Sequence, residues 1–376
     1  MNTRPIENFS AIESDSRENS ASMPFFSIGV TTYNRQELLK QTLLSIIKQT
    51  FSDFEVIVGN DYIQESLSAE LFGIQDSRIR FVNYPQNLKE VGNMNALLRM
   101  GRGRYFTWMA DDDLYAPNFL EVVHAALSKF DFPPCTFTSY GLIHGANFLD
   151  IVKTYPGQEQ LFTGSQFLRM YLKGNLKIIG PYGVFDTECL RRIGGIESLS
   201  NAPIGLYGEY MLLVRSGLLE KIVYVDAPLV LYRVHEGAWG CTNTDVDQYK
   251  RAGENLVRES IKVFTRPELR DDFYQNLSSI LELSSNIFVG KLAARDGHLD
   301  GHEVMAHLLS LKRQFSPLKG SVLYWLALAS LCRKGVGPVW SAAKSKFRSA
   351  APPGLVKLAR RVRSFFPRHE RRAFWS

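Results

Sequence analysis

Several features that would assign the chain to a class at once are missing. No apolar run approaches the roughly 18–20 residues of a membrane-spanning helix, so a soluble or peripheral protein is expected. Residues 1–22 are polar and of mixed charge. They lack the basic start, apolar centre and small-residue cleavage site of a secretory signal, and read as a disordered leader on a cytoplasmic protein. The four cysteines, Cys135, Cys189, Cys241 and Cys332, are far apart with no C-x-x-C spacing, which leaves no support for a thiolate zinc site or a disulfide framework. There is no G-x-G-x-x-G after the first predicted strand and no G-x-x-x-x-G-K-[ST] anywhere, so the glycine loops that usually cradle phosphates are absent. Neither an internal repeat nor a low-complexity tract is evident.

What is present is ordinary globular material with an uneven charge. With 376 residues, 45% hydrophobic and 22% charged, the chain can bury a large core and predicts one sizeable α/β domain with appendages. The net charge of +6 comes from the C-terminus. From Arg333 onward there are 12 Lys/Arg against one acid, leaving 32 basic and 37 acidic residues, about −5, for the rest. This tail, residues 316–376, contains the 12-residue apolar stretch Ser321 to Cys332 and interleaves Trp340, Phe347, Phe365, Phe366 and Trp375 with Lys and Arg. Two readings stand for it: a solvated basic helix packed on the domain, or an interfacial segment on anionic lipid at the inner face of the plasma membrane. Nucleic acid is not expected as a partner.

Strand and helix patterns alternate through the first half. Phe25 to Val30 reads as a strand, and Leu39, Leu43, Ile46 and Ile47 recur at helical spacing. Further strands are predicted at Glu55 to Val58, Ile79 to Val82 and Tyr105 to Met109. Helices are predicted at Val91 to Arg99 and from near Pro117 to Lys129. Such alternation predicts a doubly wound, mostly parallel sheet with ligands at the carboxyl ends of its strands. Residues 245–315 read as a helical extension without chemistry-bearing motifs.

Thr31 to Tyr33, Asp61 and Asp111-Asp112-Asp113 all follow predicted strands and should share one crevice. Three adjacent carboxylates repel one another, so the triplet needs a cation, solvent or a donor-rich ligand to offset the repulsion. A divalent ion that takes carboxylate oxygens on one side and diphosphate oxygens on the other would do this and replace the missing glycine loop, which predicts a nucleoside diphosphate ligand. The bland alternative is that the aspartates cap the helix near Pro117.

FSIGVTTYNRQELLKQTLLSIIKQTFSDFEVIVGND and VGNMNALLRMGRGRYFTWMADDDLYAPNFLE, followed by GEYMLLVRSGLLEKIVYVDAPLVLYRVHEG, resemble the family 2 inverting glycosyltransferases of the glycosyltransferase A fold. The resemblance spans residues 24–240, with a nucleotide-binding half at 24–130 and an acceptor half at 131–240. It implies transfer of a sugar from a nucleotide-diphosphate donor to a saccharide or lipid-linked saccharide acceptor, with Mn or Mg on the diphosphate, in surface polysaccharide or glycolipid assembly.

By position, the resemblance implies Glu209 as catalytic base; Thr31, Tyr33, Asp61, Asn95 and Asp111 at the nucleotide; and Asp112, Asp113 and His235 at the metal; Lys89 is a further candidate at the nucleotide, for its phosphate charge. Individual roles within the triplet stay open, with Asp112 the first choice for metal. Asp61 can accept a pyrimidine ring N–H, which favours a UDP or dTDP donor. Arg99, Arg104 and Arg233 are further candidates for phosphate, and Tyr182 and Trp239 for sugar stacking. The chain departs from the pattern at Gly208, where an acid is usual before Glu209, and at Met94, where arginine is common. Two alternatives remain: a sugar-phosphate nucleotidyltransferase, for which VTTYNRQE is a poor loop, and a degenerate binding or scaffold subunit.

Overall fold

The computed structural model describes residues 23–143, 157–200, 205–235 and 245–296, together with 306–307 and 310–311. The leader expected over 1–22, the tail expected over 316–376 and Trp239 lie outside the described residues. The element order is β1 (Phe26–Thr32), α1 (Gln36–Ile47), β2 (Phe54–Asn60), β3 (Ile79–Asn83), α2 (Lys89–Met100), β4 (Tyr105–Ala110), β5 (Leu114–Tyr115), α3 (Phe119–Lys129), β6 (Cys135–Ile143), β7 (Glu159–Phe162), α4 (Gly164–Leu172), β8 (Val184–Asp186), α5 (Thr187–Arg192), α6 (Gly208–Ser216), β9 (Ile222–Arg233), α7 (Val246–Phe264) and α8 (Phe273–Asp296).

The described strands form one sheet in the order β3-β2-β1-β4-β8-β6-β9-β5, with β7 also paired to β9. From β3 to β4 every pairing is parallel. This half follows the expectation closely, because strands such as Phe26–Thr32 carry Phe26, Ile28 and Val30 on one face and the small Ser27 and Gly29 on the other, and are buried on both. Beyond β4 the sheet is mixed: β8, β5 and β7 run antiparallel to their neighbours, while β9 is parallel to β6. The antiparallel strands are only two to four residues long, too short to show a period in the sequence.

Register decides where the site falls. Thr31 lies opposite Ala110 of β4, and Thr32 opposite Asn60 of β2. The residues after these strands therefore leave the sheet at one edge, side by side. One core cluster packs Ile28, Val56, Leu43 and Phe119 on one side of the sheet, and a second packs Ile57, Leu97, Phe106 and Phe185 on the other.

Helices α7 and α8 are fastened to the domain by a third cluster that joins Leu168 of α4 and Met211 of α6 to Leu256, Leu277 and Ile280. The buried positions of α7, Tyr249, Ala252, Gly253, Leu256, Val257, Ser260 and Phe264, recur every three or four residues, as one apolar face of a helix requires. Among the described residues no helix is long and apolar enough to cross a membrane.

Candidate active site

A cleft of about 750 Å³ opens at the carboxyl edge of the parallel half. Thr31, Tyr33, Asp61, Lys89, Asp111, Asp112, Asp113 and Glu209 all line it. Its floor is set by three contacts. Trp108 donates its indole N–H to the Met94 carbonyl (2.9 Å), tying β4 to α2. The Thr42 hydroxyl of α1 lies 3.0 Å from the Asp111 carbonyl and 2.8 Å from that of Asp113, fixing the loop that carries the triplet. Gly59 leaves room for Asn93, whose side-chain oxygen would lie 2.1 Å from a Cβ there, so the Asn93 amide can donate to the Gly59 carbonyl (2.8 Å).

The three aspartates diverge. Asp111 accepts from the Thr32 hydroxyl (2.7 Å) and the Tyr33 N–H (3.3 Å). Asp113 accepts from the Tyr182 hydroxyl and from the Arg233 N–H (2.7 Å) at the end of β9. Burial, and then the neighbouring Asp112 charge, push Asp111 up to about 6 and Asp113 up to about 7, against the lowering by these donors. Asp112 is left at the cleft, where its Oδ2 lies 2.8 Å from Arg35 Nη1 and 3.2 Å from His235 Nε2. Arg35 Nη1 also reaches Asp111 Oδ1 at 3.3 Å.

Asp113, expected at the metal, also braces the loop: one carboxylate oxygen takes the Tyr182 hydroxyl and the other takes the Arg233 N–H. The capping alternative is removed, since the residue before α3 is Asn118 and the first-turn N–H of Leu120 is taken by the Gln49 side chain (3.0 Å). Among the described residues no three His, Cys, Asp or Glu side chains are placed to hold one ion. Asp112 and His235 nevertheless converge, at a spacing suited to neighbouring ligand atoms on a small octahedral cation, roughly 3 Å apart. One or two protein ligands, completed by water and substrate phosphate, is how Mg is commonly held. The residues thus fit a divalent ion through two donors.

On the nucleoside side, the buried Asp61 accepts from the Leu88 N–H (2.6 Å). Burial raises its pKa, and the Leu88 and Lys89 N–H groups partly offset that. Tyr33 is half exposed at the lip, its ring 5.4 Å from Tyr62 and edge-on. Asn95 is a correction: its side chain receives the Ile196 N–H and donates to the Ile196 carbonyl (3.2 and 2.8 Å). It ties α2 to the turn after α5, and the cleft is lined by Asn93 and Met94 instead. Arg99, Arg104 and Arg233 do not line the cleft either. Arg104 lies over the Phe132 ring at 4.2 Å, and Arg233 donates to Gln41 of α1 (2.9 Å). Tyr182 lines the cleft but is largely buried, with its hydroxyl engaged by Asp113. Arg35 was missed although it sits within the TTYNR motif; only the β1–β4 pairing brings it to the triplet.

Glu209 sits in the first turn of α6, after Tyr207 in a left-handed conformation (φ 61°). Its carboxyl makes no hydrogen bond or ion pair with a described residue. Desolvation, and then the charge of Glu90, push it up to about 7. Glu90 is held nearby by accepting from the Gly205 N–H (2.9 Å). The missing acid at Gly208 has a steric reason, because a Cβ there would lie 2.6 Å from the Glu197 carbonyl oxygen.

Residues 27–141 match the family model for glycosyl transferase family 2. An uncharacterized glycosyltransferase of Rickettsia typhi, RT0329, is 30% identical over 269 residues, covering 68% of this chain and 79% of that protein. A "GalNAc(5)-diNAcBac-PP-undecaprenol beta-1,3-glucosyltransferase" of Campylobacter jejuni is 36% identical over 96 residues, 24% of this chain and 30% of that protein. The solved structure of S. aureus TarS 1-349 superposes with a TM-score of 0.47 at 12% identity, covering 78% of this chain and 91% of that one. The matches to three further curated relatives span 34%, 16% and 36% of those proteins. The chain belongs to glycosyl transferase family 2.

Proposed function

We propose that this chain transfers a glycosyl group from a nucleoside diphosphate sugar to an acceptor hydroxyl, inverting the anomeric carbon, with Glu209 as general base. Glu209 carries the reading: a carboxylate in the same cleft as Asp61 and Asp112, without a hydrogen-bond partner among the described residues and pushed up to about 7 by burial and Glu90. A base of that strength is half ionised near neutral pH, close to the optimum for proton abstraction.

In the step proposed, the acceptor oxygen bonds to the anomeric carbon as the bond from that carbon to the diphosphate oxygen breaks. The acceptor proton passes to Glu209. Thr31, Tyr33 and Asp61 hold the nucleoside, and the free capacity of Asp61 suits a pyrimidine N–H, hence UDP or dTDP. Asp112 and His235 would hold Mn or Mg, which supplies charge neutralisation for the departing diphosphate. The name of the Campylobacter relative supports a place in surface polysaccharide or glycolipid assembly. The proposed setting is the cytoplasmic face of the membrane, with the basic tail against anionic lipid.

A thermal-shift series with UDP, dTDP, CDP and GDP, with Mn or with EDTA, tests this. At 100 times its Kd a ligand stabilises the native state by about 2.7 kcal/mol, so the preferred base should stand out. The Mn-dependent part of the shift should vanish in Asp112→Ala. Equal, feeble shifts for all four nucleotides, unchanged by EDTA, would overturn the proposal.

A further inference from the structure

The helical extension takes part in the cleft, which Tyr249 of α7 and Ile287 and Lys291 of α8 line together with Glu209. Its hold on Glu209 itself runs through Tyr207. This residue precedes α6 in a left-handed conformation, φ 61°, which bulky side chains rarely adopt. Backbone of that kind persists only where the surroundings over-determine it. The Tyr207 carbonyl accepts from the Met211 N–H (3.1 Å) in the first turn of α6. The conformation of Tyr207 therefore sets where the helix starts, and with it the place of Glu209 two residues on.

The surroundings that hold Tyr207 belong to the extension. Its side chain is buried in one cluster with Tyr249 and Leu256 of α7 and Leu277 and Ile280 of α8, and its ring meets that of Tyr249 edge-on at 6.2 Å. Its hydroxyl reaches the place where α7 and α8 approach. A Cβ on Gly253 of α7 would lie 3.5 Å from Tyr207 Oη and 2.3 Å from Ser284 Oγ of α8, so glycine makes the room for both hydroxyls. On the other side, the Gly208 N–H donates to the Gly205 carbonyl (2.8 Å), and the Gly205 N–H donates to Glu90 of α2 (2.9 Å). The turn before Glu209 is thus pinned between α2 and the extension.

We infer that Tyr207 is a positioning residue for Glu209, and that the extension serves catalysis by holding Tyr207 in place. Glycine would take the left-handed turn without steric cost, but it has no side chain to dock. The docked ring fixes the turn in one place, and a base displaced by about 1 Å loses about 10²-fold in rate. This rests on the glycosyl-transfer reading, and it gives helices outside the family match at residues 27–141 a task besides stability.

The test uses the full chain and follows hydrolysis of UDP-glucose, UDP-GlcNAc and dTDP-glucose, with water as acceptor. Tyr207→Gly should lower kcat about 10²-fold with KM for the donor unchanged, and Tyr207→Phe, which keeps the ring, should recover most of the loss. Should Tyr207→Gly not fold, Tyr207→Leu is read in the same way, since leucine is apolar but too short to reach Gly253 and Ser284. Unchanged kcat in these variants overturns the inference, as does a loss of kcat matched by an equal loss of donor affinity. If wild type cleaves none of the three donors, the glycosyl-transfer reading fails instead. The placement of Glu209 is then read from its titration, by infrared difference spectroscopy of the carboxyl band missing in Glu209→Gln. The titratable neighbours of Glu209 are Glu90 of α2, Tyr171 of α4 and the adjacent Tyr210, and no variant alters them. The midpoint should fall from about 7 toward 4.5 in Tyr207→Gly as the loosened turn lets water reach the carboxyl. A midpoint equal to that of wild type overturns the inference.

Discussion

Replacing Glu209 with glutamine keeps the shape of the side chain and removes its capacity to take a proton. A positioned general base contributes about 10²- to 10⁴-fold in rate, so Glu209→Gln should lower kcat by that factor while leaving nucleotide affinity unchanged. The pH profile separates a base from a merely structural acid. In wild type only the ionised carboxylate works, so kcat/KM should rise with pH, bend near 7 and level off above it; the limb should be missing in the variant. Stability moves the opposite way. The folded pKa, about 7, lies above the ordinary 4.5, so the protonated form favours folding below pH 4.5 and that advantage is lost as pH rises through 7. Each pKa unit is worth about 1.4 kcal/mol, which makes about 3.5 kcal/mol the upper bound on what Glu209→Gln can gain above pH 7. The gap in Tm should open between pH 4.5 and 7. Measured kcat/KM profiles and melting curves across pH 4–9 check both. Unchanged kcat, or an acid limb that survives in Glu209→Gln, would refute the assignment.

Glu90→Gln removes the second cause of the raised Glu209 pKa, so the bend in kcat/KM should move to lower pH with kcat on the plateau retained. Arg35→Met frees Asp112 Oδ2 from its 2.8 Å ion pair; Mn should then stabilise the protein by more than it does wild type, measured as the difference in Tm with Mn and with EDTA. Asn95→Ala deletes both bonds to Ile196 and should cost about 1–3 kcal/mol in denaturant unfolding, with KM for the donor unaltered.

The parallel half was legible because its strands are short apolar-rich runs bounded by polar turns and its helices repeat apolar residues at helical spacing. The convergence of Thr31, Asp61 and Asp111 followed from that topology, since parallel neighbours end at one edge. Asn95 shows what a motif match leaves out. Residues two apart on a helix point about 200° apart, so once Asn93 faces Gly59, Asn95 must face elsewhere, and it meets the turn at Ile196. Arg35 was illegible for a different reason: its partner is 76 residues away, and only the register of β1 on β4 brings them together. The extension gave no signal because the spacing of Tyr249, Ile287 and Lys291 is that of ordinary helix surface; their cleft-facing role arises from packing on α6.

The triplet also shows how a repulsive sequence is made tolerable. Two of its acids are turned aside and given donors from different elements, Thr32 and Tyr33 of the β1 end for Asp111, Tyr182 and the β9 end for Asp113. Both remain raised, to about 6 and about 7, so the donors do not cancel the cost of burial beside Asp112. The middle acid is left facing the cleft against Arg35 and His235. A cation arriving at Asp112 therefore relieves three carboxylates at once, because its charge acts on both buried neighbours across a poorly screened interior. In the proposed metal site the flanking aspartates would add to ion affinity through this field.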